Sequence, residues 1–292
     1  VGTSLQVRWR DRRGAWLLLL PALLFLGAFL FTPMASMLVT SLRLHVAGRG
    51  EVPGSWTVEN YARFLRDAFY WRILGRTLFI SLEATAACLL LGYPAALFLS
   101  RRTGVWRGML TTLILAPMMI SVLVRALGWL LVLGREGVLS QGLRLVMPDP
   151  PVFLYTDTGV MIGLAQGLTP LMVLCILSSL LQIDPAVIRA AQDLGANPRQ
   201  VFGRVTLPLS LPGVVAGCLL VFTLCSSAFA VPALLGGQRV KVMAYIVYEN
   251  QVLLLNWAYG AAVTVILLVT VGLCVLLYQR WIERQRWSAA LR

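Results

Sequence analysis

Long apolar runs separated by short polar stretches cover the chain from end to end. A helix rises about 1.5 Å per residue and the hydrocarbon core of a bilayer is about 30 Å thick, so about 20 successive apolar residues cross it. Six stretches are long enough, at about 16–41, 75–100, 108–133, 159–182, 212–235 and 258–279. They predict an all-α integral membrane protein with six transmembrane helices, built as a single domain over residues 1–292. Arg8, Arg10, Arg12 and Arg13 precede the first run as they would precede a signal sequence, but that run far exceeds the about 7–15 apolar residues of such a segment. It is expected to stay as an anchor.

Composition agrees with lipid as the main solvent. Apolar residues make up 59% of the chain and charged residues 13%, against about 45–50% and about 25% in an ordinary soluble domain. The net charge of +13 would suggest a nucleic-acid partner in a soluble protein. Here the bases collect beside the ends of the spans, where they set topology and meet anionic head groups, and no nucleic acid is expected. With the N-terminus inside, 14 arginines fall on the cytoplasmic side and 10 bases outside, which leaves Arg125 within a span. The balance favours both termini in the cytoplasm. The outer connections, at about 42–74, 134–158 and 236–257, carry Trp56, Tyr61, Tyr70, Trp71, Pro148, Pro150, Pro151 and Trp257, which suit an interface. Cys88, Cys175, Cys218, Cys225 and Cys274 lie inside apolar runs and read as packing residues. With His45 as the one histidine, no metal site is expected.

The inner loop at 183–211 is more informative. Asp184-Pro185 is an N-cap followed by proline at the first helical position, and Ala186 to Leu194 run unbroken to Gly195, a left-handed stop. Asn197-Pro198 repeats the start signal, predicting a second short piece from Arg199 to Val205 that ends before Leu207-Pro208. Helices this short are unstable alone in water and must lean on a partner. Ala190 and Ala191 make one side smooth, Leu194, Val201 and Phe202 are apolar, and Arg189, Asp193, Arg199 and Arg204 carry charge. An amphipathic helix flat on lipid is the alternative reading.

The segment IRAAQDLGANPRQVFGRVTLP, residues 188–208, resembles the EAA loop of the permease subunits of type I ATP-binding-cassette importers, with Arg189 where that motif has Glu. LGYPAALFLSR (91–101), APMMISVLVRALGWLLVLGREGVL (116–139), LTPLMVLCIL (168–177) and FAVPALLGG (229–237) are similar, in order, to the spermidine/putrescine permease group. Ser140 and Thr169 depart from that group's usual residues. The resemblance implies the type I importer permease (MetI-like) fold in a bacterial cytoplasmic (inner) membrane. It implies that Arg189, Ala190, Ala191, Asp193, Leu194, Gly195, Pro198 and Phe202 dock a cytosolic ATPase. It also implies two ATPase copies holding ATP and Mg, a second permease completing a heterodimer, and an extracytoplasmic substrate-binding protein. No cofactor is implied for this chain. The sole lysine, Lys241, lies between Val240 and Val242, so no phosphate-binding GxxxxGK[ST] loop is present in the sequence and energy must come from another subunit. A polyamine is the implied solute, with an opine, an amino-phosphonate or another small metabolite as alternatives.

Glu83 and Arg125 fall well inside predicted spans, where each costs about 2.5–3.5 kcal/mol and must face protein or water. Straight helices put them at matching depths, which allows either a structural ion pair between the second and third spans or a role in the translocation pathway. Trp129 is one turn beyond Arg125. Aromatic rings and carboxylates attract ammonium groups, so Glu83, Trp129, Tyr245, Tyr248 and Glu249 are candidates for a polyamine, with interfacial anchoring the alternative for the aromatics. Pro94, Pro117, Pro170 and Pro232 interrupt predicted spans and are read as kinks or hinges. Two rival functions remain open. An ion-coupled transporter needs buried carboxylates, for which Glu83 alone is available; a membrane scaffold needs none.

Overall fold

The computed structural model describes residues 12–46, 50–51, 54–144, 149 and 151–290. Arg8, Arg10, Arg49, Pro148, Pro150 and Arg292 lie outside them. Apart from a hairpin of two-residue strands, β1 (His45–Val46) and β2 (Gly50–Glu51), the described chain is helical. Five helices are long and apolar enough to cross a membrane: α1 (Arg12–Ser41), α3 (Ala68–Ser100), α7 (Asp157–Leu181), the run Pro198–Ser227 that ends in α10 (Leu207–Ser227), and α12 (Trp257–Ala290). A bent helix pair takes the place of the third predicted span. The predicted helix at 108–133 is instead α4 (Gly104–Leu115), a 3-10 turn (Ala116–Met119) and α5 (Val122–Leu133), bent by 90°. Pro117 gives the 3-10 turn no N–H to carry forward, and Ile120 and Ser121 then extend, with ψ of 136° and 138°. Shorter helices complete the order: α2 (Glu59–Arg66), α6 (Val138–Arg144), α8 (Pro185–Asp193), α9 (Pro198–Val201) and α11 (Met243–Tyr248).

Two further expectations need correction at α10. The prolines at 208 and 212 do not separate an inner helix from a fifth span. A π turn over Phe202–Thr206 joins α9 to α10 without a break, its wider ring closed by Leu207 N–H on the Phe202 carbonyl, and Pro208 follows directly after it. The far end also stops earlier than 235. Ala228 turns extended, with ψ of 131°, and a separate π turn covers Pro232–Gly236.

The core is a three-helix layer of α3, α7 and α10. Helix α7 is central, with Met172, Val173, Ile176 and Leu177 buried. Helices α3 and α7 run parallel, tied by the Cys88 thiol to the Ala165 carbonyl at 3.4 Å. Helix α10 runs antiparallel to α7 and approaches it closely at Gly213 and Gly217. A Cβ at 213 would stand 2.4 Å from the Cys175 carbonyl oxygen, and one at 217 would stand 2.6 Å from the Met172 sulfur. Such small-residue contacts let helices associate in lipid, where no hydrophobic force pushes them together. A second apolar cluster, including Phe64, Met243, Ile246 and Tyr259, joins α2, α3, α11 and α12 at the end of the bundle opposite α8. Helix α1 packs mainly on α12, and Leu24, Phe29 and Phe31 are 63–68% exposed, as suits a helix bathed in acyl chains.

Gly213→Leu puts a side chain into backbone and is expected to cost at least the about 1–3 kcal/mol of an overpacked core. Gly108→Ala, where an added Cβ meets nothing within 4 Å, is expected to be silent. Thermal melting of the detergent-solubilised protein, followed by size exclusion, separates the two; equal melting temperatures would contradict the α7–α10 contact.

Candidate coupling and translocation sites

The 184–206 segment forms as its local chemistry dictates. The Asp184 carboxylate accepts from the Ala186 N–H at 2.8 Å and Pro185 takes the first helical position of α8. Gly195 stops it with φ of +84°, and the Ala196 N–H closes on the Ala191 carbonyl. Asn197 and Gln200 form a reciprocal capping box at the start of α9, at 2.9 Å each way. No residue of α8 is buried. Arg189, Ala190, Asp193, Leu194, Gly195 and Pro198 are exposed and Ala191 is half-buried, with Leu194 at 89%. Phe202 differs from this group. It turns inward and packs edge-on against Tyr93 at 5.8 Å between ring centres, while the Tyr93 hydroxyl shares a 2.8 Å hydrogen bond with Ser210. It anchors the segment to α3 and is not part of the exposed face.

About midway along α7 a pocket of about 320 Å³ opens between α5, α7 and the end of α10. Arg125 and Trp129 line it with Gly163, Gly167 and Phe229. Helix α5 lies antiparallel to the first half of α7, so Arg125 comes to rest on Gly167, where a Cβ would sit 3.4 Å from Nη1 and 3.5 Å from Nη2. Trp129 Nε1–H donates to the Gln166 side chain at 3.3 Å. Gly163, one turn away, admits Val231 and Leu235.

Phe229 links this pocket to a second cluster, with ring centres 4.7 Å from Tyr248 and 6.5 Å from Tyr245. The Tyr245 hydroxyl accepts from Gln238 at 2.9 Å. Lys241 Nζ lies 3.1 and 3.3 Å from the two oxygens of Glu249 and 5.5 Å from the Tyr245 ring centre. Glu249 is thus already neutralised within the chain. Beyond it, toward the end opposite α8, a cavity of about 490 Å³ is lined by Arg72, Arg76, Arg239, Lys241 and Gln238. Arg76 also bridges to Asp157 at 3.3 Å and donates to the Arg239 carbonyl.

Four of the six pathway candidates, Arg125, Trp129, Tyr245 and Tyr248, therefore gather around Phe229, and Glu249 is tied to this group through Lys241. Glu83 does not join them. It is half-buried on α3, and no Glu83–Arg125 ion pair forms among the described residues. The inference of matched depths assumed a straight third span beside the second. The bend instead lays α5 on α7 and the 232–236 turn. Sequence reading missed Phe229, Gly163, Gly167 and Lys241. The four-residue spacing of Gly159, Gly163 and Gly167 was the available signal for the groove.

Residues 89–288 match the family described as "Binding-protein-dependent transport system inner membrane component". The spermidine/putrescine transport system permease protein PotB of Escherichia coli K12 is 35% identical over 258 residues, covering 88% of this chain and 93% of that protein. A putative 2-aminoethylphosphonate transport system permease protein, PhnU, of Salmonella paratyphi A is 28% identical over 87% of this chain and 86% of that one. In the crystal structure of a bacterial ABC transporter that imports the acidic polysaccharide alginate, one chain superposes with a TM-score of 0.74 at 20% identity, covering 94% of this chain and 98% of that one. The family's members are membrane subunits that bind no cofactor themselves and work with separate ATPase subunits and a binding protein. The chain belongs to this family and is a multi-pass inner membrane permease subunit of an ABC importer.

Proposed function

We propose that the chain forms, as one transmembrane domain, half of a heterodimeric pore over an ATPase dimer, with both termini and α8 in the cytoplasm and a binding protein delivering solute to the opposite face. The observation that carries this reading is α8 itself, a capped helix with no buried residue and an 89%-exposed Leu194, held on a segment continuous with a span. Arg189, Ala190, Ala191, Asp193, Leu194, Gly195 and Pro198 meet the ATPase, and Phe202 transmits their position to α3 through Tyr93. Arg189 places a positive charge where the resembling motif has Glu, so the facing ATPase surface carries an acceptor. ATP binding draws the two coupling helices together and opens the pore outward; hydrolysis resets it.

The solute is a small organic amine of the polyamine class, a reading supported by the 35% identity to PotB over most of both chains. A second reading, a solute with both an ammonium and an acidic group such as an amino-phosphonate or an opine, is favoured by Arg125 in the pocket and by the 28% identity to PhnU.

Purification of the chain with its neighbours is expected to capture an ATPase, and deletion of 184–204 to abolish that capture. Leu194→Asp removes a buried contact of about 2 kcal/mol, which is roughly 30-fold in ATPase affinity. Undiminished capture by both variants would refute the docking assignment. Uptake into vesicles is expected to follow internal ATP and to ignore imposed ion gradients; the reverse would favour the ion-coupled rival. Ala196→Cys is expected to react in intact cells with permeant thiol reagents only, and labelling by impermeant ones would invert the topology.

A further inference from the structure

We propose that the pocket between α5, α7 and the end of α10 is an oxyanion site, in which the Arg125 guanidinium holds a carboxylate or phosphonate group. The proposal deepens the importer reading and rests on it. Arg125 is the one ionisable residue among those lining the pocket; the rest are glycine, alanine, valine, leucine, Phe229 and Trp129. Its Nη1 is buried without an acceptor among the described residues. A guanidinium cannot shed its charge at any relevant pH, and a buried donor facing apolar walls is costly until something accepts from it.

The carboxylates of the surrounding elements do not supply that acceptor. Glu249 is held by Lys241, Asp157 by Arg76, and Glu83 stands on α3 away from α5. Gly167 leaves the face of α7 open so that both terminal nitrogens lie against it. A planar two-nitrogen fork matches the two oxygens of a carboxylate or phosphonate. The cavity of Arg72, Arg76, Arg239 and Lys241 has the same sign even after Asp157 and Glu249 pair with Arg76 and Lys241, because Arg72 and Arg239 remain, and it would concentrate anions on the approach. A bare polyamine would meet like charge here, so an oxyanion carried by the solute belongs with the second solute reading and a carboxylate of the partner permease with the first.

The oxyanion has two possible sources, an acidic group on the solute or a carboxylate side chain of the second permease reaching across the pore. Both are read by one reaction on the wild-type assembly in lipid nanodiscs, the modification of Arg125 by phenylglyoxal, followed by mass spectrometry. Protection by 2-aminoethylphosphonate or 4-aminobutyrate, with none from putrescine of the same length, assigns the site to the solute. Insensitivity to all three, with faster modification when one carboxylate of the second permease's spans becomes an amide, assigns it to the partner. Arg125→Gln is expected to lose about 10- to 100-fold in uptake kcat/KM. Arg125→Lys is expected to recover part of that loss, and in the partner case the matching amide substitution restores Arg125→Gln. A modification rate unmoved by every probe and every amide substitution, or Arg125→Gln transporting at wild-type rates, overturns the proposal. An assembly that captures no ATPase defeats the importer reading instead, and the protection measurement still reports on the pocket.

Discussion

Inside hydrocarbon every backbone N–H and C=O must find a partner within the protein, and the placement of everything else in this chain follows from that constraint. Continuous helices satisfy it and can face lipid, as α1 does. Irregular backbone is tolerated only where protein or a water-filled cavity covers it. Two breaks occur at depth, at Ile120-Ser121 and at Ala228-Phe229, and they converge on the same place. Val122 and Arg125 follow the first break, Ala228, Phe229 and Ala230 form the second, and all line the Arg125 pocket. The pocket is the place where the fold can afford to stop being helical.

Small residues decide how close the helices come, and so where space is left. Gly213 and Gly217 bring α10 hard against α7. Gly163 and Gly167, further along α7, make room for side chains instead of backbone: Val231 and Leu235 at one, the guanidinium at the other. One helix therefore serves as a packing surface along one half and as the wall of the Arg125 pocket along the other.

Much of this was legible in the chain. Caps and stops act within four or five residues, and so Asp184-Pro185, Gly195 and Asn197-Pro198 gave α8 and the start of α9 their bounds without tertiary help. Hydropathy found the spans because it sums over a length of helix, and for the same reason it was blind to a break inside one. Nothing in an average over 108–133 distinguishes a straight crossing from two helices at 90°. The π turn at 202–206 was hidden behind Pro208, which reads as a helix breaker unless the wider ring ahead of it is known. Glu83 and Arg125 failed as a pair because pairing is a property of neighbouring helices, and the bend changed which helices are neighbours. Lys241 with Glu249 escaped notice because eight residues of separation carry no periodic signal.

The unbroken run from Pro198 to Ser227 has a mechanical meaning. Its close approach to α7, at Gly213 and Gly217, falls near its middle, about 25 Å from the Pro198 tip and about 18 Å from the Ser227 tip at 1.5 Å per residue. A rod held there is a lever with two arms of comparable length. Were that contact to stay in place, a sideways displacement of Val201 would tilt Ala228, at the rim of the Arg125 pocket, in the opposite sense.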